Sequence, residues 1–252
     1  MMSDLVVSDE GPIRTLRMNR PGKKNALTLP MYETMAKTIE EAATNGSIRC
    51  LLIAGSPEAF CAGHDIGNFM QAASKDGALS PTILRFLHSL VCCEKPLVAA
   101  VAGVAIGVGT TMLLHCDHVV AAATAKFSTP FVALGLVPEA ASSLIAPRLM
   151  GHAKAFSLLV MGRPLNADEA KAAGIVNTVV SSAELEAEAM KAAREISNLP
   201  PEGVLASRRL MRGTRAEIIA RIDEEAEQFN ARLRSPEARA AFVAFLERKR
   251  AN

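Results

Sequence analysis

From Pro96 to Leu114 the chain carries no charged residue and is mostly alanine, valine and glycine. A run of that length has to leave water. It does so either as one bilayer-crossing helix or as elements buried inside a layered core. Gly103, Gly107 and Gly109 break this run, and it is the only one of its kind. The core reading is the better fit, with a buried strand at Leu97–Val101, a glycine turn, and a buried helix over Gly107–Leu114.

Cys50–Ala54, ending at Gly55-Ser56-Pro57, and His118–Ala122 are apolar runs of the same type and read as buried strands. Leu5–Val7 and Ile13–Met18 flank Asp9-Glu10-Gly11-Pro12, a hairpin signal. Thr28 and Pro30 open a helical pattern through Met31, Met35, Ile39 and Ala42. Asn166 and Glu169 have capping-box spacing for a short helix that stops at Gly174, and Ile175–Val180 follows as a strand. Strands alternating with helices predict an α/β fold with parallel pairing. After Leu199-Pro200-Pro201 the strand signal almost vanishes. Arg215–Leu233 and Pro236–Lys249 carry apolar residues at helical spacing among dense charges. An α/β core over 1–199 and a helical segment over 200–252 are therefore expected. The apolar stripes of that segment need cover from the core or from a neighbouring subunit.

Lys plus Arg is 28 and Asp plus Glu is 26, so the net charge of +2 gives no reason to expect nucleic acid or an anionic membrane as partner. The 252 residues hold five cysteines, Cys50, Cys61, Cys92, Cys93 and Cys116, with no C-x-x-C pair. That odd count points to a reducing compartment. Met1 to Arg20 contains Asp4, Asp9 and Glu10 and lacks a signal-peptide apolar run, and Arg248-Lys249-Arg250-Ala251-Asn252 does not match S-K-L. A cytoplasmic location is expected.

Four stretches hold the residue types that do chemistry. Ala59-Phe60-Cys61-Ala62-Gly63-His64-Asp65-Ile66 reads as a tight strand-to-helix loop, as a Cys61 nucleophile with His64 as base, or as a loop aiming a backbone N–H at a ligand oxygen. Ala102 to Thr111 matches neither G-x-G-x-x-G nor a Walker loop, although a helix start still offers free N–H groups. His115-Cys116-Asp117-His118 has metal-ligand residue types, but four consecutive residues cannot converge on one ion unaided, so helix end, turn and strand start is the simpler reading. Glu139 is a lone carboxylate among apolar and small residues, either a first-turn helix acid or a site residue.

Together these stretches resemble the enoyl-CoA hydratase/isomerase (crotonase) superfamily over nearly the whole chain. The resemblance rests on Met18-Asn19-Arg20-Pro21, Asn25-Ala26-Leu27, Ala59 to Ile66, the glycine turn ending in Cys116-Asp117, Gly162-Arg163, Asn166-Ala167 and Ala172-Ala173-Gly174-Ile175-Val176. It implies a crotonase-type, ClpP-like α/β spiral of repeated ββα units with a C-terminal helical trimerisation segment, and an acyl-CoA ligand. The homo-oligomer would be a trimer or a dimer of trimers. The family's oxyanion hole would use the backbone N–H groups of His64 and Val108. CoA would lie against Lys24, Ala26, Ala62, Asp65 and Ile66.

At the two positions where family hydratases carry glutamates, this chain has Thr111 and Phe131, both expected to face substrate. Neither takes a proton from water at neutral pH. The stretch Thr129-Pro130-Phe131, Leu134-Gly135, Pro138-Glu139 and Ser142-Ser143 resembles the monofunctional 3,2-enoyl-CoA isomerase branch, in which the one glutamate of the Pro-Glu pair acts. The implied reaction is a proton shuttle by Glu139 from carbon 2 to carbon 4, with no metal or redox cofactor and with coenzyme A as part of the substrate. Phe131, Leu134, Leu136 and Val137 are expected to raise the Glu139 pKa. A hydratase working through Glu139 and water, a thioester hydrolase and a non-catalytic acyl-CoA-binding protein remain as alternatives.

Overall fold

The computed structural model describes residues 3–65, 67 and 78–251. Among the described residues, ten strands form two sheets. The larger has the order β1 (Leu5–Glu10), β2 (Ile13–Met18), β3 (Cys50–Ala54), β5 (Leu97–Val101), β7 (His118–Ala122), β10 (Thr178–Val180). The smaller has the order β4 (Ala59–Cys61), β6 (Val104–Ile106), β8 (Lys126–Ser128), β9 (Leu165–Asn166). The β1–β2 hairpin and the β8–β9 pair are antiparallel, and every other pairing is parallel.

Three successive strand pairs repeat one step. β3 leads to β4, β5 to β6 and β7 to β8, each pair leaving the large sheet for the small one. The chain therefore winds as a spiral of ββα turns, as the resemblance implied. Stacked turns leave little room at their corners. A β-carbon on Gly103, where β5 becomes β6, would lie 2.0 Å from the Glu58 carbonyl oxygen of the preceding corner. Only glycine fits there.

The solid apolar runs follow from burial on both faces. Leu51 and Ile53 point into the main core with Val101 and Val119. Cys50, Leu52, Val98 and Val120 point the other way, under Leu185, Ala189 and Ala193 of the Leu185–Asn198 helix. The uncharged run from Pro96 to Leu114 divides as β5, β6 and a short helix, Val108–Thr111, continued by a 3-10 turn, Met112–His115. Among the described residues no helix is long and apolar enough to cross a membrane.

The hairpin and the Leu29–Thr44 helix form where expected. The capping box also forms, with Asn166 accepting from the Glu169 N–H and Glu169 accepting from the Asn166 N–H. The expected strand over Ile175–Val180 is shorter and begins at Thr178. Ile175 and Val176 instead donate their N–H groups back to Ala170 O, closing the preceding helix. Beyond Pro200 the helical segment holds Pro201–Arg212, which the apolar spacing had not singled out, then Arg215–Leu233 and Pro236–Ala251.

Candidate active site

One side of the site is backbone. Ala62 N–H donates to Lys24 O at 2.9 Å, Leu27 N–H to Gly63 O at 2.8 Å and Asp65 N–H to Leu27 O at 2.9 Å. Lys24, Ala26, Ala62 and Asp65 are thereby brought together, while Ile66 lies outside the described residues. Buried Asn25 clamps the arrangement. Its side-chain amide donates to Ala59 O at 2.7 Å, and its Oδ1 accepts from the Arg20 N–H at 2.8 Å. Arg20 also pairs with Asp65 at 2.7 Å and donates to Ala26 O. In the parallel bridge between Leu27 and His64 the Gly63 carbonyl and the Asp65 amide face Leu27. The His64 amide consequently lies on the opposite edge of the ribbon, beside Ile106, whose carbonyl oxygen would lie 3.0 Å from a β-carbon on Gly63.

The glycine turn closes against that edge. Gly107 has φ 56° and ψ −121°, a region left almost entirely to glycine. A β-carbon on Gly109 would lie 2.5 Å from Cys61 O, so the Val108–Thr111 helix starts in contact with the end of β4. Gly107 O accepts from the Thr110 and Thr111 N–H groups, and Val108 occupies the first helical position, where an amide has no intrahelical acceptor. Phe131, 5% exposed, packs its ring toward Gly107.

The other side is a carboxyl. Glu139 is 2% exposed. Thr111 Oγ1 donates to its Oε1 at 2.5 Å, and Oε2 is buried with no hydrogen-bond partner. Burial pushes its pKa up to about 8, the Thr111 hydroxyl acts against that rise, and the negative charge of Glu225 adds to it. The hydroxyl expected to face substrate thus holds the glutamate itself.

Two other readings of these stretches do not form. Cys61 and His64 are not a nucleophile–base pair. His64 Nδ1 shares a hydrogen bond with Tyr32 Oη at 2.5 Å, and burial raises the Cys61 thiol to about 12 and lowers His64 to about 4. In His115-Cys116-Asp117-His118 the side chains diverge. His115 Nε2 donates to Ala140 O at 2.8 Å, while Asp117 accepts from the Leu97 N–H and pairs with Arg208 and Arg212.

Sequence reasoning missed two residues here. Tyr32, the only tyrosine in the chain, is 1% exposed and holds His64. Glu225, 6% exposed on the Arg215–Leu233 helix, accepts from the Ala141 N–H at 2.6 Å and the Ser143 N–H at 2.9 Å. Glu224 and Glu227 stand beside it in sequence, and nothing in the pattern sets it apart. An apolar cleft of about 370 Å³ opens beside His64, lined by Leu27, Tyr32, Leu79, Ile83 and Leu233.

The family described as Enoyl-CoA hydratase/isomerase matches residues 9–252. The chain belongs to this family. Enoyl-CoA delta isomerase 2 of Rattus norvegicus is 34% identical over 97% of the chain, and the chain spans 64% of that relative's length. Crotonyl-CoA hydratase of Syntrophomonas wolfei is 32% identical over 99% of the chain and 97% of its own length. The solved structure of Pseudomonas aeruginosa OdaA superposes with a TM-score of 0.92 at 41% identity, covering 97% of this chain and 99% of that one. The crotonase-type spiral is thus the fold of this family member.

Proposed function

We propose that the chain isomerises a 3-enoyl-CoA to the trans-2-enoyl-CoA, with Glu139 as its single acid/base group. The observation that carries this reading is the state of Glu139, a buried carboxyl with one oxygen on Thr111 and the other without a hydrogen-bond partner. Hydration by the family's two-glutamate route needs carboxylates where Thr111 and Phe131 stand. Moving a double bond adds no water and is proton-neutral, so one carboxylate suffices.

In this reading the thioester oxygen accepts from the His64 and Val108 N–H groups. Glu139 removes a proton from carbon 2, the dienolate charge spreads onto the held oxygen, and the same carboxyl returns the proton to carbon 4. A base near pKa 8 abstracts a carbon-bound proton more readily than one near the ordinary glutamate value of 4.5. Rate is therefore expected to rise with pH toward about 8. Lys24, Ala26, Ala62, Asp65 and Ile66 would border the CoA moiety, and no metal or redox cofactor is called for. The core over 1–199 would hold this site. In the helical segment over 200–252, Leu210 and Met211 are 85% and 86% exposed, and a neighbouring copy in a homotrimer or dimer of trimers would cover them. The cytoplasm would be the location.

The test is a paired assay of wild type and Glu139→Gln, on a 3-enoyl-CoA followed as conjugated thioester absorbance and on crotonyl-CoA followed as its loss. Isomerisation reduced by about 10²- to 10⁴-fold in the variant, with little hydration by either protein, is the expected result. Hydration that dominates and falls with Glu139 would make the chain a hydratase using that carboxyl with water. CoA binding with no turnover would make it a binding protein.

A further inference from the structure

The segment after Glu139 is held from outside itself. Ala140 and Ala141 both have left-handed backbones, φ 62° and 53°, which alanine adopts only under constraint. Ala141 is the N-cap of the Ser142–Met150 helix, yet alanine has no side chain with which to cap it. The missing acceptors come from Glu225, 84 and 82 positions further along, whose two oxygens take the Ala141 and Ser143 N–H groups. From the other side His115 Nε2 holds the Ala140 carbonyl. The residues next to Glu139 are thus fixed by two side chains from distant elements.

We infer that Glu225 is a positioning residue for the reaction, setting the Pro138–Ser143 turn so that the Glu139 carboxyl stands against Thr111 with its second oxygen open to substrate. This inference rests on the reading of Glu139 as the base. It makes the helical segment beyond Pro200 part of the catalytic apparatus through one carboxylate. Glu225 has a second, electrostatic relation to the base, because its negative charge lies close enough to hold the Glu139 pKa up. The other titratable groups near this site are Cys61, Tyr32 and His115 on the Glu139 side and Arg221, one turn earlier on its own helix, on the Glu225 side.

The experiment compares wild type, Glu225→Gln and Glu139→Gln as full chains on a 3-enoyl-CoA, with kcat, KM and the pH dependence of kcat measured together. Glutamine keeps the volume of Glu225 but accepts through only one oxygen and carries no charge. The expected result is a kcat lower by about 10- to 100-fold, KM within about twofold, and a rise of rate with pH that begins at lower pH. Adding Glu225→Gln to Glu139→Gln should cost no further activity, because a misplaced base matters only while the base is there. If Glu225→Gln does not fold, Glu225→Asp keeps the charge, falls short of the two amides and should show an intermediate loss of kcat. Unchanged kcat and an unchanged pH profile in a folded Glu225→Gln, or equal further losses in both backgrounds, would overturn the inference. If Glu139→Gln itself stays active, the reading of the base fails, whatever happens at position 225.

Discussion

The two sides of the site are built by different means. The Ala59–Asp65 ribbon and the Gly107–Thr111 turn are held mostly by backbone hydrogen bonds and by contacts that only glycine permits, with the Asn25 side chain as a clamp from nearby. The Pro138–Ser143 turn has alanines where left-handed geometry favours glycine, and it is held by Glu225 and His115 from elsewhere. A proposed oxyanion site needs donors at fixed positions, and main-chain packing provides that with little dependence on side chains. A proposed base needs a raised pKa and a bare oxygen, which requires side chains chosen one by one. The two carboxylates on that side show the choice. Glu225 has both oxygens on backbone N–H groups, whereas Glu139 has one oxygen on a hydroxyl and one on nothing.

The sharpest way to break the comparison is at Gly109. Gly109→Ala would set a β-carbon 2.5 Å from Cys61 O, and backbone on both sides leaves no flexible atom to yield. The Val108 amide must then move relative to His64. Displacing one oxyanion donor is expected to lower kcat by about 10²- to 10³-fold in the protein that still folds. Steady-state kinetics beside a thermal melt checks it. A folded Gly109→Ala with wild-type kcat would show that the reaction does not use this turn.

The next effect sharpens the other side, through stability rather than rate. Folded Glu139 titrates near 8, whereas unfolded Glu139 titrates near the ordinary 4.5. Between those values the folded chain holds a proton that the unfolded chain releases, so wild type loses stability as pH rises from about 4.5 to about 8. Glu139→Gln has no such proton, and all other groups are shared. The variant should therefore gain on wild type by up to about 1.4 kcal/mol per pH unit within that window. Denaturant midpoints at pH 5 and pH 8 measure it, and a constant difference would mean that the carboxyl is already ionised at pH 5.

The same division explains what could be read beforehand. The strands Cys50–Ala54, Leu97–Val101 and His118–Ala122 were legible because burial on both faces leaves an unbroken apolar run. The glycine turn was legible because Gly103, Gly107 and Gly109 interrupt an otherwise apolar run. The start of β10 was misjudged because Ile175 and Val176 are apolar for the sake of packing, while their amides complete a helix end. The Pro201–Arg212 helix was not singled out, and none of its residues is buried within the chain. Tyr32 and Glu225 act across the fold on residues 32 and more than 80 positions away. No local pattern records such a pairing, and each looks like an ordinary member of an amphipathic helix.

The smallest effect tests the comparison in reverse, with glycine placed where the chain uses alanine. A left-handed alanine costs about 1–2 kcal/mol, and a glycine in its place loses roughly 0.5–1 kcal/mol of that gain to its freer unfolded chain. Ala141→Gly should therefore stabilise the protein by about 0.5–1 kcal/mol, provided that Glu225 and His115 already fix the turn. Denaturant unfolding of the variant beside wild type reads the sign. A gain would show that the left-handed geometry is imposed on Ala141 from outside, as the distant hydrogen bonds indicate. A loss would mean that glycine lets the turn relax to another conformation, and then alanine would itself be part of what holds Glu139 in place.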